Sequence, residues 1–410
     1  MRVLILAESF YPLGGGVGTY GLALSRELVR RGIAITVVTR RQQPQLEARE
    51  TIDGVEIVRL APSGYQRAGK YITLGPVLAY LAKHRHEYDL VYVWGLRILG
   101  VVAAMAGRLL HKPVVLRAEQ TGEISGDFAW QDRRPKPGPG NMLVRYGLRG
   151  RDKLLRRTDR FVAISADIAA EFAAAGYPED RMMRIPNGVD LHRFQPVTRE
   201  AAYQLRDRLQ LPRKSFIFVY SGRLHRHKGL FTLLDAWRHL MAMEKSGHLV
   251  LVGENSPNLG VEVELRQLVD QHLLRDTITF TGRQDDVLPW LQSADAFVLP
   301  SQREGLSISL LEAMAVGLPA VGTRTSGTVE LIRPGANGQL VDIGDAAALT
   351  RAMASLLRNP KEAREMGRMS REIVEKEFGL DVAADRHLEL FASLRSAGSA
   401  AELEVAPVTA

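Results

Sequence analysis

The chain of 410 residues is long enough for two or three domains, each with its own hydrophobic core. It contains no cysteine, which excludes disulfide frameworks and thiolate metal sites, and its hydrophobic content of 46% and charged content of 24% are those of an ordinary globular protein. Its net charge of +8 favours polyanionic partners such as nucleic acid, an anionic membrane surface or phosphate-bearing substrates.

The N-terminal residues predict a Rossmann-like βαβ unit. A buried strand at 3–6 is followed by a glycine-rich loop at 14–18, a helix at 19–31 and a second strand at 33–39. Such glycines allow a ligand to approach the backbone at a helix N-terminus, although a plain strand-to-helix turn has the same pattern. Thr19 stands where the third glycine of a dinucleotide fingerprint belongs, which disfavours a nicotinamide cofactor.

The same N-terminal strand pattern lacks the apolar core and cleavage site of a signal peptide. No apolar run approaches the ~20 residues that a membrane span requires. We therefore expect a cytoplasmic protein. Further along, strands predicted at 55–60, 89–94 and 113–116 alternate with helices at 74–84 and 98–110, which continues the α/β pattern.

A basic segment at 141–160 carries seven arginines and lysines against two acids. It follows a proline- and glycine-rich stretch at 128–141, for which a mobile loop is predicted. A basic amphipathic segment can lie on an anionic membrane, so peripheral contact with the inner membrane face is one interpretation. A helix packed on the sheet with a solvated basic face is the more frequent alternative.

In the second half of the chain, two cations follow an apolar strand predicted at 216–220. Arg223 and Lys228 lie between Gly222 and Gly229, just before a predicted helix. An arginine presents a fork of N–H donors and a lysine a point charge, so together they can bracket a diphosphate. An isolated pair of this kind is more often surface charge.

A second anion site is predicted where a strand at 296–299 gives way, after a polar turn, to a helix at 306–316. The N–H groups of Gly305, Leu306 and Ser307 would lie unpaired at the helix N-terminus and face open space, an arrangement that favours a bound anion.

Two carboxylates flank this helix start. Glu304 precedes it, and Glu312 lies roughly two turns into the helix at about 3.6 residues per turn. Carboxylates on both sides of a phosphate site can hold hydroxyl groups on both sides, which matches the sugar, diphosphate and ribose of a sugar nucleotide. For an isolated pair, a solvated loop acid and a helix surface acid are the simpler interpretation.

The spacing of Glu304 and Glu312, with Gly305 after the first, resembles the E-x7-E motif of retaining glycosyltransferases with the GT-B fold. The resemblance is closest to family 4, the glycogen-synthase-like group 1 glycosyltransferases. PLGGGVG at 12–18 resembles the family's PxxGGxG loop, and SGRLHRHKG at 221–229 resembles its GRLxxxKG segment. Further segments match family patterns at 185–190 (IPNGVD), 280–282 (FTG) and 326–332 (SGTVELI).

The resemblance covers nearly the whole chain and implies an α/β protein with the GT-B fold, in which two Rossmann-like domains face a cleft. The acceptor-binding domain is expected at 1–195 and the nucleotide-sugar-binding domain at 196–380. A helix at about 381–395 is expected to pack back towards the first domain. The small and polar residues at 396–410 predict a disordered tail.

The resemblance also implies transfer of a sugar from a nucleoside-diphosphate sugar to an acceptor hydroxyl of a glycan, a lipid-linked molecule or a small molecule, with retention at the anomeric carbon. No cofactor and no metal ion are expected, since arginine, lysine and a helix end supply the positive field. The implied catalytic residues are Arg223, Lys228 and Glu304, and the implied donor-binding residues are Gly15, Gly16, Arg283, Gly305, Leu306, Ser307 and Glu312.

The chain departs from the family after the strand at 113–116, where the family often has a histidine and this chain has Glu119. Arg117 and Glu119, with Gln120 and Glu123, are therefore candidates for acceptor binding. The base and sugar of the donor, the acceptor and the linkage stay open.

Two other functions fit parts of the pattern. An enzyme of similar fold could epimerise or hydrolyse sugar nucleotides, and nucleotide release without any acceptor would identify it. A non-catalytic protein that binds sugar nucleotides or polyanions would explain the basic segment at 141–160, and steeply salt-sensitive DNA binding would identify it. The complete set of Arg223, Lys228, Glu304 and Glu312 favours catalysis, so nucleic acid is not expected as a partner.

Overall fold

A computed structural model describes residues 1–13, 15–64, 69–96, 98–124, 150–256 and 260–403. The chain forms two compact units: unit 1 consists of Met1–Pro186 with Asp381–Ala410, and unit 2 consists of Asn187–Leu380. The mobile loop predicted at 128–141, and the first part of the basic segment at 141–149, lie outside the described residues.

Unit 1 is built on one sheet of eight strands. The strands are β1 Arg2–Ala7, β2 Ala34–Arg40, β3 Arg49–Ile52, β4 Val55–Leu60, β5 Leu90–Trp94, β6 Val114–Ala118, β7 Arg160–Ala163 and β8 Met182–Arg184. Their order is β3-β4-β2-β1-β5-β6-β7-β8, and neighbours pair in parallel except β3 with β4. The central strands β5 and β6 are buried throughout, as expected for apolar runs in a parallel sheet covered on both faces.

The main helices of unit 1 that precede its last segment are α1 Gly15–Arg30, α2 Gly69–Ile72, α3 Leu74–Lys83, α4 Ile98–Leu110 and α5 Ala166–Ala174. Residues 150–155 are also helical. Leu155 is buried there, and Arg151 donates to the carbonyl oxygen of Ile124 at 2.6 Å. The described part of the basic segment therefore packs on unit 1, as the alternative interpretation has it.

Unit 2 contains a second parallel sheet. Its strands are β9 Phe216–Ser221, β10 Gly247–Val252, β11 Ile278–Gly282, β12 Ala296–Leu299, β13 Ala320–Thr323 and β14 Gly338–Val341. Their order is β11-β10-β9-β12-β13-β14. Its helices are α6 Arg199–Arg208, α7 Leu230–Met243, α8 Glu262–Gln271, α9 Leu288–Gln292, α10 Ile308–Ala315, α11 Ser326–Leu331, α12 Ala346–Arg358 and α13 Pro360–Glu377.

The boundary between the units lies after Pro186, earlier than the expected boundary at 195. The intervening residues bond to unit 2. Val189 forms a β-bridge with Gly379, and the carbonyl oxygen of Phe194 accepts from the Arg371 guanidinium at 2.6 Å. These bonds attach residues 187–195 to unit 2 rather than to unit 1.

The last helix, α14 Leu380–Leu403, extends beyond the predicted end at about 395. Residues 396–403, the first part of the predicted disordered tail, are helical, and residues 404–410 lie outside the described part of the chain. Within unit 1, α14 is bonded to the sheet through His387, whose Nε2 lies 3.0 Å from the Tyr92 hydroxyl. Within the described residues, no helix combines the length and the apolar character that crossing a bilayer requires.

Candidate functional site

The carboxyl end of β12 leads through a turn into α10. Ser307 is the N-cap of this helix, and its Oγ accepts the N–H of Leu310 at 3.4 Å. The helix therefore begins at Ile308, later than predicted. Gly305, Leu306 and Ser307 are buried, which corrects the expectation that they face open space. None of their three N–H groups donates to a carbonyl oxygen within the described residues, so they lack an internal acceptor at the positive end of a helix.

Two glycines allow other elements to approach this turn closely. A Cβ atom added to Gly327, in α11, would lie 1.5 Å from the carbonyl oxygen of Gly305. A Cβ atom added to Gly229, just before α7, would lie 1.8 Å from the carbonyl oxygen of Pro300, and Gly229 also has a φ of +68°. Backbone from α11 and from the start of α7 thus holds the turn in place, at distances that any other residue would prevent.

Buried side chains complete this support. The Asn187 amide donates from Nδ2 to the carbonyl oxygen of Leu306 at 2.8 Å, and the Thr323 hydroxyl donates to the carbonyl oxygen of Ser301. The sequence motifs predict no role for these side chains. Asn187 lies in the IPNGVD match, but a turn motif does not reveal which carbonyl its side chain contacts.

Two of the predicted catalytic residues meet at this turn. Lys228 ends a 3₁₀ turn (Arg226–Lys228) that follows β9, the neighbour of β12 in the sheet. Its Nζ lies 2.6 Å from Oε1 of Glu304, and the Ser301 hydroxyl donates to the same oxygen at 2.6 Å. The Glu304 side chain is 10% exposed and that of Lys228 is 27% exposed, so the ion pair is partly shielded from water.

Arg223 lies on the same edge of the sheet, two residues after β9, and is exposed. Its backbone carbonyl accepts from the Tyr220 hydroxyl at 2.9 Å, which fixes the turn after the strand. Within the described residues its guanidinium takes part in no ion pair. Arg223 can therefore contact a phosphate without breaking an existing pair.

Glu312 lies in α10 and is only partly exposed. Burial raises its pKa to about 7, an effect that the charge of Arg193 opposes and that of Asp286 reinforces. Arg193 and Asp286 themselves form an ion pair at 2.8 Å. A carboxyl group with a pKa near neutrality can change its charge with pH or with a bound ligand.

In the sheet of unit 2, Arg283 lies farther from the strands β9 and β12 than the other predicted donor-binding residues do. It follows β11, an edge strand that β10 separates from β9. Its exposed side chain lies 3.3 Å from Asp285 and 3.9 Å from Glu254. The fold brings Lys228 and Glu304 together but leaves Arg283 at the other side of β10.

In unit 1, the predicted donor-binding residues Gly15 and Gly16 form the first turn of α1, which begins before the predicted position at 19. Gly15 has a φ of +59°. A Cβ atom added to Gly18 would lie 2.1 Å from the carbonyl oxygen of Leu13, so the chain folds tightly against the start of the helix. The glycines thus serve the helix start as well as the loop.

Four central strands of unit 1 end in one row. Thr39 of β2 pairs with Ala7 of β1, Ala7 with Trp94 of β5, and Trp94 with Arg117 of β6. A cavity of about 180 Å³ lies at this carboxyl edge, and Glu119 is among the residues that line it. Ligands of open parallel sheets bind at this edge, so the cavity is a candidate acceptor site.

Arg117 does not line the cavity, although the sequence makes it a candidate for acceptor binding. Its side chain is buried, with Nε 2.9 Å from Oε1 of Glu119. Its guanidinium carbon lies 4.7 Å from the ring centre of Trp94 and 5.2 Å from that of Tyr20. Arg117 therefore positions Glu119 from behind the wall. Burial raises the pKa of Glu119, and the positive charge of Arg117 opposes this shift.

Glu123 orders the turn that carries Glu119. Its Oε2 accepts the backbone N–H of Leu96 at 3.2 Å and that of Glu119 at 3.5 Å. Glu123 thereby links the residues that follow β5 to those that follow β6, at the carboxyl ends of the two strands.

Among the residues that the structure describes, no group of three or more histidine, cysteine or acidic side chains could hold a metal ion.

Two family models match the chain. The model described as Glycosyltransferase Family 4 matches residues 14–193, and the model described as Glycosyl transferases group 1 matches residues 203–373. Together they span most of both units.

Individual proteins are similar over nearly the full length. D-inositol 3-phosphate glycosyltransferase 1 of Catenulispora acidiphila is 27% identical over 405 residues, which cover 94% of this chain and 92% of the relative. Sucrose-phosphate synthase from Thermosynechococcus elongatus has a TM-score of 0.79 at 24% identity, covering 97% of this chain and 100% of its own. Anabaena Alr3699/HepE, solved with UDP and glucose, has a TM-score of 0.76 at 21% identity, covering 96% and 100%. These structures confirm the predicted GT-B fold.

Proposed function

Because the chain belongs to the family 4 and group 1 glycosyltransferases, we propose that it transfers a sugar from a nucleoside-diphosphate sugar to an acceptor hydroxyl, with retention at the anomeric carbon and without a metal ion. The observation that carries the proposal is the ion pair of Lys228 and Glu304 beside a buried helix start whose amides lack an internal acceptor. This arrangement brings a cation from the turn after β9 beside a carboxylate and N–H donors from the turn after β12.

The diphosphate is assigned to the positive groups of unit 2. Arg223 and Lys228 would bind its oxygens, and the N–H groups of Leu306 and Ser307 would donate to them from the start of α10. Negative charge grows on the diphosphate as the sugar departs. Donors that are already in position stabilise that charge without reorganisation, which lowers the barrier.

The two carboxylates are assigned to hydroxyl groups. Glu304 would accept from a hydroxyl group of the donor sugar, while Lys228 and Ser301 fix its carboxylate through Oε1. Glu312 would accept from the ribose hydroxyls. Glu304 is thus a positioned hydrogen-bond acceptor, and a protein nucleophile is not required. The bond from the anomeric carbon to the phosphate oxygen breaks, the bond to the acceptor oxygen forms on the same face, and the acceptor proton passes to the departing diphosphate.

The similar proteins suggest which donors and acceptors to test first. Anabaena Alr3699/HepE is solved with UDP and glucose, so UDP-glucose is the first donor to test, followed by GDP- and ADP-sugars. The Catenulispora relative is named for D-inositol 3-phosphate, so this compound and myo-inositol are the first acceptors to test.

A thermal-shift panel of these sugar nucleotides, with chelator present, tests donor binding. A ligand at ~100 times its dissociation constant adds about 2.7 kcal/mol to the free energy of unfolding, which raises the melting temperature measurably. Proton NMR of the product then reports the anomeric configuration. Binding by none of the nucleotides, loss of activity with chelator, or an inverted product would each contradict the corresponding part of the proposal.

A further inference from the structure

The cavity of unit 1 offers chemistry that selects among acceptors. Building on the function proposed above, we propose that it holds a small uncharged ring that bears hydroxyl groups, such as one sugar or cyclitol unit, and rejects acceptors that place a phosphate or carboxylate there. The cavity's size, its charges and the buried hydrogen-bonding groups along its edge support this ligand class.

The size limits the ligand. The cavity volume of about 180 Å³ lies below the ~300–1,000 Å³ of sites for drug-sized molecules, so a single ring fits better than an extended chain. Part of its wall is apolar and buried, including Val38, Val77 and Trp94. An apolar wall with an indole ring suits the C–H face of a sugar, whose hydroxyl groups then lie around the rim.

The charged residues that line the cavity disfavour a bound anion. Glu8, Glu119 and Glu123 are lining residues, whereas Arg40 is the one cation among the described residues that line the cavity. The positive charge behind the wall, on Arg117, is paired with Glu119. From the described lining residues, a phosphate in the cavity would therefore meet more negative than positive charge, and such repulsion is one way in which a binding site rejects an unwanted ligand.

The hydrogen-bonding groups favour hydroxyls for a second reason. The Trp94 indole Nε1 and the Thr39 hydroxyl belong to side chains that are 5% and 3% exposed, and neither has a hydrogen-bond partner within the described residues. Buried polar groups normally have partners, and both of these residues line the cavity on either side of Ala7.

A hydroxyl group both donates and accepts a hydrogen bond. It can accept from the indole N–H of Trp94 and donate to a carboxylate such as Glu119. A fully ionised phosphate or carboxylate only accepts, so it could satisfy the indole but could donate no hydrogen bond to Glu119, whose Oε1 has no hydrogen-bond donor within the described residues. A neutral polyol is therefore the ligand class that satisfies both kinds of group.

Ligand-observed saturation-transfer NMR on the full chain tests this, because it needs no turnover. The probes are matched pairs: myo-inositol with D-inositol 3-phosphate, and glucose with glucose 6-phosphate and glucuronate, each with and without saturating UDP. We expect at least one uncharged compound to bind saturably, with an affinity at least tenfold higher than its anionic counterparts. Thr39→Val and Trp94→Phe should weaken that binding at least fivefold.

The matched control is Trp290→Phe, since Trp290 lies in α9 of unit 2. It should leave sugar binding unchanged. Glu8→Lys should narrow the preference for the uncharged compound, because Glu8 is an exposed lining residue whose charge is reversed. Equal or tighter binding of the anionic compounds, absence of binding by every uncharged probe, or indifference to Thr39→Val and Trp94→Phe would each overturn the inference. Failure of the donor panel would instead contradict the proposed transfer reaction, so the two failures are distinguishable.

Discussion

Nζ of Lys228 lies 2.6 Å from Oε1 of Glu304, on an oxygen that the Ser301 hydroxyl also contacts at 2.6 Å. The two charged residues are 76 positions apart in the chain. They meet because the strands that precede them, β9 and β12, are neighbours in a parallel sheet. The proposed reaction assigns the lysine to the diphosphate and the carboxylate to the sugar. Each residue thus orients the other before the donor arrives, which reduces the entropy lost on binding.

Removal of either cation should slow transfer strongly. We expect Lys228→Ala and Arg223→Ala each to lower kcat by about 10²–10³-fold, the usual cost of one lost contact to a developing negative charge. The control is Arg226→Ala, because Arg226 belongs to the same segment but pairs with Glu264 at 2.9 Å. Steady-state kinetics decide the matter. A loss below about tenfold for both variants, or an equal loss for Arg226→Ala, would contradict the assignment of the diphosphate to Arg223 and Lys228.

The close approach of α11 to the phosphate turn gives a second prediction. Gly327→Ala would place a Cβ atom 1.5 Å from the carbonyl oxygen of Gly305, so the turn must move. We expect donor affinity to fall at least tenfold, measured by calorimetry with the responding sugar nucleotide. Gly75→Ala is the control, because Gly75 is likewise the second residue of a helix and an added Cβ meets no atom within 4 Å. Equal donor affinities in the two variants would show that the turn does not bind the donor.

Much of the fold follows from local patterns in the sequence. β12 is predicted and observed at the same residues, because a strand buried on both faces is a short continuous apolar run. Helix starts are predicted less well. The glycines at the beginning of α1 suggested a loop since glycine disfavours helices, yet the helix begins at Gly15.

Side-chain destinations depend on tertiary structure and escaped prediction. Arginine is almost never fully buried unless paired, so the sequence favoured an accessible Arg117. Its burial depends on Glu119, two residues away, and on the rings of Trp94 in β5 and Tyr20 in α1, which only the tertiary structure brings to Arg117. Likewise, nothing local to Asn187 indicates that its amide donates to the carbonyl oxygen of Leu306.

The bond between α14 and the sheet of unit 1 should be measurable as a coupling energy. His387 donates from Nδ1 to the carbonyl oxygen of Ala383 at 2.6 Å, so its Nε2 accepts from the Tyr92 hydroxyl at 3.0 Å. His387→Phe should destabilise the protein by about 1–3 kcal/mol, because it leaves a buried hydroxyl without its acceptor. Adding Tyr92→Phe should recover part of this loss in denaturant unfolding. Strict additivity of the two changes would show that the bond contributes nothing.

His387 also makes a pH prediction. Burial, followed by the charge of Arg117, lowers its pKa to about 3. The unfolded chain then binds a proton, at an ordinary pKa near 6.5, that the folded chain does not, so stability is present above about pH 6.5 and is lost as pH falls towards 3. We expect His387→Phe to have a shallower loss of stability over this range. If the free energies of unfolding of the wild type and the variant decline equally between pH 6.5 and pH 4.5, the lowered pKa of His387 is contradicted.

Glu312 should have the opposite effect on stability. Its pKa rises from 4.5 to about 7 on folding, so the folded chain binds the extra proton and stability falls as pH increases through that window. The fall should be about 1–3 kcal/mol, given ~1.4 kcal/mol per pKa unit and a side chain that keeps some exposure. Glu312→Gln removes the titrating group, so its free energy of unfolding should lack this decline. A decline of the same size in the glutamine variant would assign it to another group.

The same titration should control donor affinity. Because an ionised carboxylate accepts more strongly than a neutral carboxyl group, the dissociation constant of the sugar nucleotide should increase about tenfold from pH 8 to pH 6, as Glu312, with a pKa of about 7, takes up its proton. An intact sugar nucleotide is the right probe, because a free diphosphate has a terminal phosphate that titrates near pH ~6 and would confuse the profile. Glu312→Gln is uncharged at every pH, so its profile should be flat and its affinity should approach that of the wild type at low pH, where Glu312 is neutral. Isothermal titration calorimetry from pH ~5.5 to pH ~8.5, about 1.5 units on either side of the pKa of Glu312, measures both affinity profiles. If the wild-type affinity does not change with pH, or if the glutamine variant shows the same change, Glu312 does not bind the ribose.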